Sequence, residues 1–278
     1  MTPDPSFLYL GEAHREGLAT LVYGVQSSKG FVLLTGEVGT GKTTLLHALL
    51  GQLESTTASA FIFNPRLSPL DFFELVFQEY GIEKKCESKA EYLMRFNEFL
   101  IERLANNEQT LLIIDEAQNL SPEMLEEIRL LSNLETPTSK LIQIMLVGQP
   151  ELNEMLSRPD LRQLRQRIAL RHHLRPFDAR EMADYVKERL AKAGYTGKPV
   201  FNRSAIKALY AISQGTPRII NNVCDAALLQ GYAQDRMQLD GKVIRDVAAT
   251  LALAETAQDG TGAPDTGARK KGLLGLFR

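Results

Sequence analysis

Short apolar runs alternate with amphipathic stretches through the first 175 residues of this chain, and amphipathic stretches alone follow. The runs Phe31–Thr35, Ser59–Asn64, Thr110–Ile114, Leu141–Val147 and Ile168–Leu174 have the length and β-type composition of strands. Thr110–Ile114 is apolar throughout, as expected when both faces of a sheet are covered. Between the runs, apolar residues recur at helical spacing. His14–Val25 reads as a helix before the first strand, and Thr44–Leu50 as one after it. Ser68 with Pro69, Ser88 with Glu91, and Ser121 with Pro122 open three more, running to Gly81, about Ala105 and near Leu134. Phe72, Phe73, Phe77, Phe96 and Phe99 fall at helical spacing and read as core. Strands separated by helices predict an α/β fold: a parallel sheet with helices on both sides.

From Pro176 the pattern is helical only. Asp178 with Glu181, Asn202, Pro217 and Asp240 mark four starts; Gly194 and Gly215 mark stops, and the last helix runs to about Glu255. The expected organisation is an α/β core over 1–175, a small all-α lid over 176–256, and a flexible linker with a tail over 257–278. The linker prediction rests on the Gly/Thr/Pro-rich run 258–267.

One stretch carries chemistry at once. Gly36-Glu-Val-Gly-Thr-Gly-Lys42-Thr43 matches the phosphate-binding loop G-x-x-x-x-G-K-[ST] at every fixed position, between an apolar strand and an apolar helix. Glycines at 36, 39 and 41 let successive backbone N–H groups converge on an anion, and the following helix adds its positive end. Glu37, Val38, Thr40 and Thr44 complete the contact segment. Lys42 would reach the β- and γ-phosphates, and the Thr43 hydroxyl would ligate Mg²⁺. The predicted ligands are ATP and Mg²⁺.

Leu111-Leu-Ile-Ile-Asp115-Glu116 delivers two carboxylates at the end of an apolar strand, where ligands collect in a parallel sheet. Asp115 is expected to hold Mg²⁺, and Glu116 to orient and polarise the attacking water. Gln149, after the fourth strand, is placed to bond the γ-phosphate or water, and Asn64, after the second, to reach Glu116. Capping a loop is the alternative for each. Arg162, Arg165 and Arg167 cluster before the fifth strand, where one could act on the phosphates of a neighbouring subunit; a solvated helix face is the alternative. Gly215-Thr-Pro-Arg218 puts Arg218 in the first turn of a helix, from which it could project back towards the phosphates.

In this order the phosphate loop (Walker A), the strand-end carboxylates (Walker B), the arginines and Gly-x-Pro-Arg resemble the AAA+ ATPases. Within that group the chain is similar to the general secretion pathway protein A (ExeA-like) family. The similarity lies in Thr2-Pro-Asp-Pro-Ser-Phe-Leu-Tyr-Leu10, His14-Arg-Glu, Gly30 to Thr44, Ile114-Asp-Glu-Ala-Gln-Asn-Leu120, Gly148-Gln-Pro-Glu-Leu152 and Gln214-Gly-Thr-Pro-Arg-Ile-Ile-Asn221. The resemblance implies a P-loop core with a helical lid and a sensor arginine at 218. It also implies an ATP-hydrolysing machine that assembles with itself as a ring or nucleotide-dependent oligomer. Its partner would be a protein of secretion, pilus or exopolysaccharide/exosortase-associated assembly. The segment Tyr9 to Arg15 would line the adenine pocket. Longer relatives continue through a membrane span into a peptidoglycan-binding domain, and these 278 residues contain neither.

Bulk properties narrow the remaining classes. A net charge of −2 argues against a strongly basic nucleic-acid sleeve, so DNA is the less favoured partner. A DNA-associated regulator of the transposition-ATPase type stays as the alternative, beside a slowly hydrolysing scaffold. Cys86 and Cys224 are isolated in sequence and read as reduced thiols. His14, His47, His172 and His173 do not read as a metal site, since His172 and His173 would face opposite sides of a strand. The N-terminus lacks a secretory pattern and no apolar run would span a bilayer, which predicts a cytoplasmic protein. The tail Arg269-Lys-Lys-Gly-Leu-Leu-Gly-Leu-Phe-Arg278 sets apolar residues between cations, a pattern suited to peripheral contact with the inner face of the cytoplasmic membrane.

Overall fold

A computed structural model describes residues 9–53, 56–63, 68–83, 86–137 and 139–259, with side chains to residue 251. Asn64 and the tail 269–278, both singled out above, lie outside the described residues. Strands β1 (Phe31–Gly36), β2 (Thr57–Ile62), β3 (Gln109–Ile114), β4 (Gln143–Gly148) and β5 (Ile168–Leu174) form one sheet in the order β2-β3-β4-β1-β5. Every pairing is parallel. β1 is therefore interior, flanked by β4 and β5.

Successive strand residues point to opposite faces, so each strand feeds two cores. On one face Leu33, Ile62, Leu112, Ile114 and Leu146 join one buried cluster. Helices α3 (Pro69–Glu79), α4 (Lys89–Ala105) and α5 (Pro122–Leu131) cover it with Phe72, Phe73, Phe77, Phe96, Leu125 and Ile128. On the other face Val32, Leu34, Ile113, Met145 and Val147 pack under α1 (Glu12–Gln26) and α2 (Lys42–Leu50). Phe99 is only partly buried, at the rim of the first core. Cys86 and Cys224 are both buried and are not joined to each other in a disulfide.

Local signals set most helix ends. Ser68, Ser88 and Ser121 each accept the N–H three residues on. The Ser88–Glu91 box is half-made, because Glu91 turns its carboxylate to the Glu87 N–H instead. Two short helices, α6 (Glu151–Leu156) and α7 (Arg162–Arg167), carry too few turns for a periodic pattern and link β4 to β5. α8 (Ala179–Lys192) opens with a complete Asp178–Glu181 capping box.

The chain forms two compact units. One extends to Pro199 and takes back Ser213–Asn222; the other comprises Val200–Ile212 and the chain from Val223. In the second, α9 (Arg203–Ser213) is capped by Asn202, whose Oδ1 accepts the Ala205 N–H at 3.0 Å. Asp240 Oδ1 likewise accepts from Lys242 and Val243 at the start of α11 (Gly241–Asp259). That helix continues past Glu255, where sequence placed its end. The first turn of α10 (Pro217–Ala233), including Arg218, belongs to the first unit. Among the described residues no helix is long and apolar enough to cross a membrane.

Candidate active site

β1 ends at Gly36, and the chain turns through Glu37–Gly41 before α2 begins at Lys42. Gly39 and Gly41 have φ of +79° and +102°, in the region where a side chain is strained. A Cβ on Gly39 would also stand 2.7 Å from Cβ of Arg218. The loop is thus possible only as glycine, and its curvature turns backbone donors inward at a helix N-terminus. Thr40, fully buried, pins the curve by donating its hydroxyl to the Glu37 carbonyl at 2.8 Å. Glu37 and Val38 stand exposed at the rim, and Thr44 is half-buried in the first turn of α2.

Lys42 is buried, and its Nζ donates to the Gly36 carbonyl at 2.7 Å and the Glu37 carbonyl at 3.1 Å. Burial lowers its pKa, opposed by the carboxylates of Glu116, Asp115 and Glu37. Beside it the Thr43 hydroxyl donates to Oδ2 of Asp115 at 3.2 Å. Asp115 is 3% exposed, and burial pushes its pKa up; the Glu116 N–H, donating to Oδ1 at 2.9 Å, works against that. A hydroxyl and a carboxylate this close are the hard oxygen set that a hexacoordinate Mg²⁺ takes alongside phosphate and water. The residues present fit Mg²⁺-nucleotide.

Glu116 sits at φ +51°, a left-handed backbone outside glycine, where β3 leaves the sheet for a single 3-10 turn, Ala117–Asn119. Its Oε2 accepts from the side-chain amides of Gln118 and of Gln149, the latter at 3.2 Å. Gln118 Oε1 in turn accepts the Gln149 N–H at 3.0 Å. Sequence reasoning finds Glu116 and Gln149 but misses Gln118. Nothing in a one-dimensional pattern shows that this turn folds residue 118 back under residue 116.

His14 lies in the Tyr9–Arg15 segment that the resemblance assigns to the adenine pocket, with no role of its own given to it there. Its Nε2–H donates to the Thr40 carbonyl at 3.0 Å, and its ring lies 4.9 Å from that of Phe177. Nδ1 is buried with no hydrogen-bond partner, and burial lowers the ring's pKa. A signal exists in the sequence: positions 14, 17, 18, 21 and 25 make the buried face of α1. Tyr9, Phe177 and Tyr185 extend this nook, their centroids 5.1–5.7 Å apart. His172 bonds the Ala13 carbonyl and His173 the Thr35 hydroxyl, each at its own side of β5. Arg218 meets the loop through its backbone, its N–H donating to the Gly39 carbonyl at 3.2 Å.

The arginines divide. Arg167 donates to the Ser132 hydroxyl, which itself donates to the Arg129 carbonyl at 2.6 Å. Arg162 and Arg165 instead line an open cleft of about 630 Å³ with Arg158 and Arg171. Arg158 is paired with Asp160. Arg167 lies at the end of the sheet away from its own phosphate loop. Ile168, next to Arg167, pairs with Phe31, whereas the loop leaves at Gly36, opposite Leu174. Five residues of strand separate the two levels, or about 17 Å.

This loop, the strand-end carboxylates and the sheet order define a P-loop ATPase domain of the AAA type, and the model of the AAA domain matches residues 25–156. The chain carries this domain and resembles general secretion pathway protein A along nearly all of its own length. The relative of that name from Aeromonas hydrophila is 41% identical over 275 residues, which are 99% of this chain and 48% of that protein. The chain therefore spans about half the length of the curated relative it matches. The fold is shared with Cdc6p of Pyrobaculum aerophilum, at a TM-score of 0.65 and 18% identity over 85% of this chain and 68% of that one. It is shared also with the ORC2 protein of Aeropyrum pernix, at 0.63 and 17% over 89% and 72%.

Proposed function

We propose that the chain binds Mg-ATP in the Gly36–Thr44 cradle and hydrolyses it. The observation that carries this reading is the convergence of Lys42, Thr43, Asp115 and Glu116 at one end of the sheet, with the Thr43 hydroxyl 3.2 Å from the Asp115 carboxylate. The loop amides and Lys42 grip the phosphates, and Thr43 and Asp115 hold the cation. When bound, Mg²⁺ neutralises charge on the transferred phosphoryl group. Glu116 orients the attacking water and draws its proton. Gln149 stands beside Glu116, within reach of the same water. Asn64, which follows the second strand in sequence, is proposed to restrain Glu116 until the site is assembled. Arg218, backbone-bonded to Gly39, ties the first turn of α10 to the loop, so that nucleotide in the loop is felt in the helical region that serves as a lid. The Tyr9–Arg15 segment, packed on Phe177, supplies the adenine side of the site.

One of Arg162, Arg165 and Arg167 acts on a second copy of the chain, since the segment enters β5 at the end of the sheet away from its own loop. Turnover therefore depends on self-assembly, as a ring or nucleotide-dependent oligomer. The likeness to general secretion pathway protein A supports a motor or switch in bacterial envelope assembly, working from the cytoplasm on a secretion-type partner, with the tail touching the membrane.

The test is Mg-ATP binding and turnover by wild type and Lys42→Ala, with oligomer size measured alongside. Saturable binding and turnover lost in Lys42→Ala support the reading; equal behaviour of the two overturns it. Adding duplex DNA or anionic vesicles separates the DNA-regulator alternative, whose stimulation would fall steeply with salt.

A further inference from the structure

Among the described residues Glu116 is gripped at one carboxylate oxygen. Oε2 accepts both the Gln118 and the Gln149 amide, while no hydrogen bond to Oε1 occurs among the described residues. The two amides are themselves joined, since Gln118 Oε1 accepts the Gln149 N–H at 3.0 Å. Gln118 thus bridges the end of β3 and the end of β4 with both halves of one side-chain amide. The fold makes room for it. A Cβ on Gly148 would stand 2.6 Å from Gln118 Oε1, and Gly148 is the last residue of β4, at ordinary φ, where any residue is otherwise allowed. The left-handed Glu116 and the 3-10 turn behind it bring residue 118 back under residue 116.

From this geometry we infer that Gln118 is a positioning residue for hydrolysis. It locks Oε2 of Glu116 and leaves Oε1 with free lone pairs to accept the proton of the attacking water. It also fixes the Gln149 backbone, so that acid–base group and neighbouring amide hold one geometry. The inference rests on the ATPase reading above and deepens it. Gln118 touches neither phosphate nor water; it acts through Glu116.

The measurement is steady-state kcat and KM, with Mg-ATP affinity by fluorescence titration, for wild type, Gln118→Ala, Gln118→Glu, Glu116→Ala and the Glu116→Ala/Gln118→Ala double variant. Losing one oriented hydrogen bond to a charged group predicts a fall of about 10- to 100-fold in kcat for Gln118→Ala, with KM and affinity unchanged. Gln118→Glu keeps the volume and the acceptor for Gln149 but sets a like charge against Glu116. It is expected to lose more in kcat with binding intact, and guards against a fold defect in the alanine variant. In the Glu116→Ala background, Gln118→Ala should cost nothing further. An unchanged or raised kcat in Gln118→Ala overturns the inference, as does a change confined to KM or a full additive loss in the double variant. Wild type that binds but never turns over ATP overturns the ATPase reading itself and this inference with it. Turnover untouched at position 118 overturns this inference alone.

Discussion

Gly39→Ala adds a single methyl group at the centre of the phosphate loop. Two costs follow from the geometry. At φ +79° an alanine side chain crowds its own carbonyl, at about 1–2 kcal/mol. The new Cβ also lands 2.7 Å from Cβ of Arg218 and 3.3 Å from its Cδ and from Cγ2 of Thr216. The nearest of these belongs to the first turn of α10, not to a flexible side-chain end, so either loop or helix must shift; overpacking of this kind costs about 1–3 kcal/mol. Together these predict a loss of about 2–5 kcal/mol, or roughly 4–20 °C in melting temperature for a unit of this size. The assay is thermal unfolding with and without Mg-ATP, plus direct titration of nucleotide. Wild type should gain several degrees on saturation; the variant should start lower and gain little, because the amides no longer converge. A second substitution separates the two costs. Arg218→Gly in the Gly39→Ala background removes the colliding Cβ but leaves the φ strain, so part of the lost stability should return. A Gly39→Ala protein as stable as wild type and equally responsive to Mg-ATP would refute the reasoning.

Acidification should destabilise the first unit through His14. Its folded pKa is depressed by burial, so the unfolded chain takes up protons first, and stability present above pH 6.5 is lost as pH falls towards the folded value. Melting curves between pH 7.5 and 5.5 should flatten in His14→Gln, and an unchanged slope would show that His14 is not the group responsible. Arg167→Ala should lower the melting temperature modestly, by freeing the Ser132 hydroxyl, whereas Arg162→Ala and Arg165→Ala should leave it unaltered. If Arg162 or Arg165 acts in trans, one of those two variants should lose roughly 10³-fold or more in assembled turnover, and mixing it with Glu116→Gln subunits should restore part of the rate. No complementation on mixing would place the action within one subunit. Deleting residues 269–278 should abolish co-sedimentation with anionic vesicles and leave turnover in their absence unchanged; sedimentation equal to wild type would reject the membrane contact.

Much of the fold was legible because the deciding interactions are local or periodic. Strands such as Leu111–Ile114, apolar on both faces, declare a covered parallel sheet. Ser68, Ser121, Asp178, Asn202 and Asp240 cap helices by bonds to N–H groups two or three residues away. The short helices Glu151–Leu156 and Arg162–Arg167 escaped, being too brief for the period to accumulate.

At the site the division follows the range of the contacts. The run Gly36–Thr43 determined by itself that an anion cradle would form, because its curvature needs only glycine and a following helix. The strand ending in Asp115-Glu116 determined that two carboxylates would stand at the sheet's edge. Only the tertiary structure decided which side chains brace them. Gln118 meets Gln149 across 31 residues, His14 meets Thr40 across 26, and Arg218 meets Gly39 across the whole sheet domain. Such pairings depend on strand order and on where a turn aims a side chain, and neither quantity is written in the residues near any one of the partners.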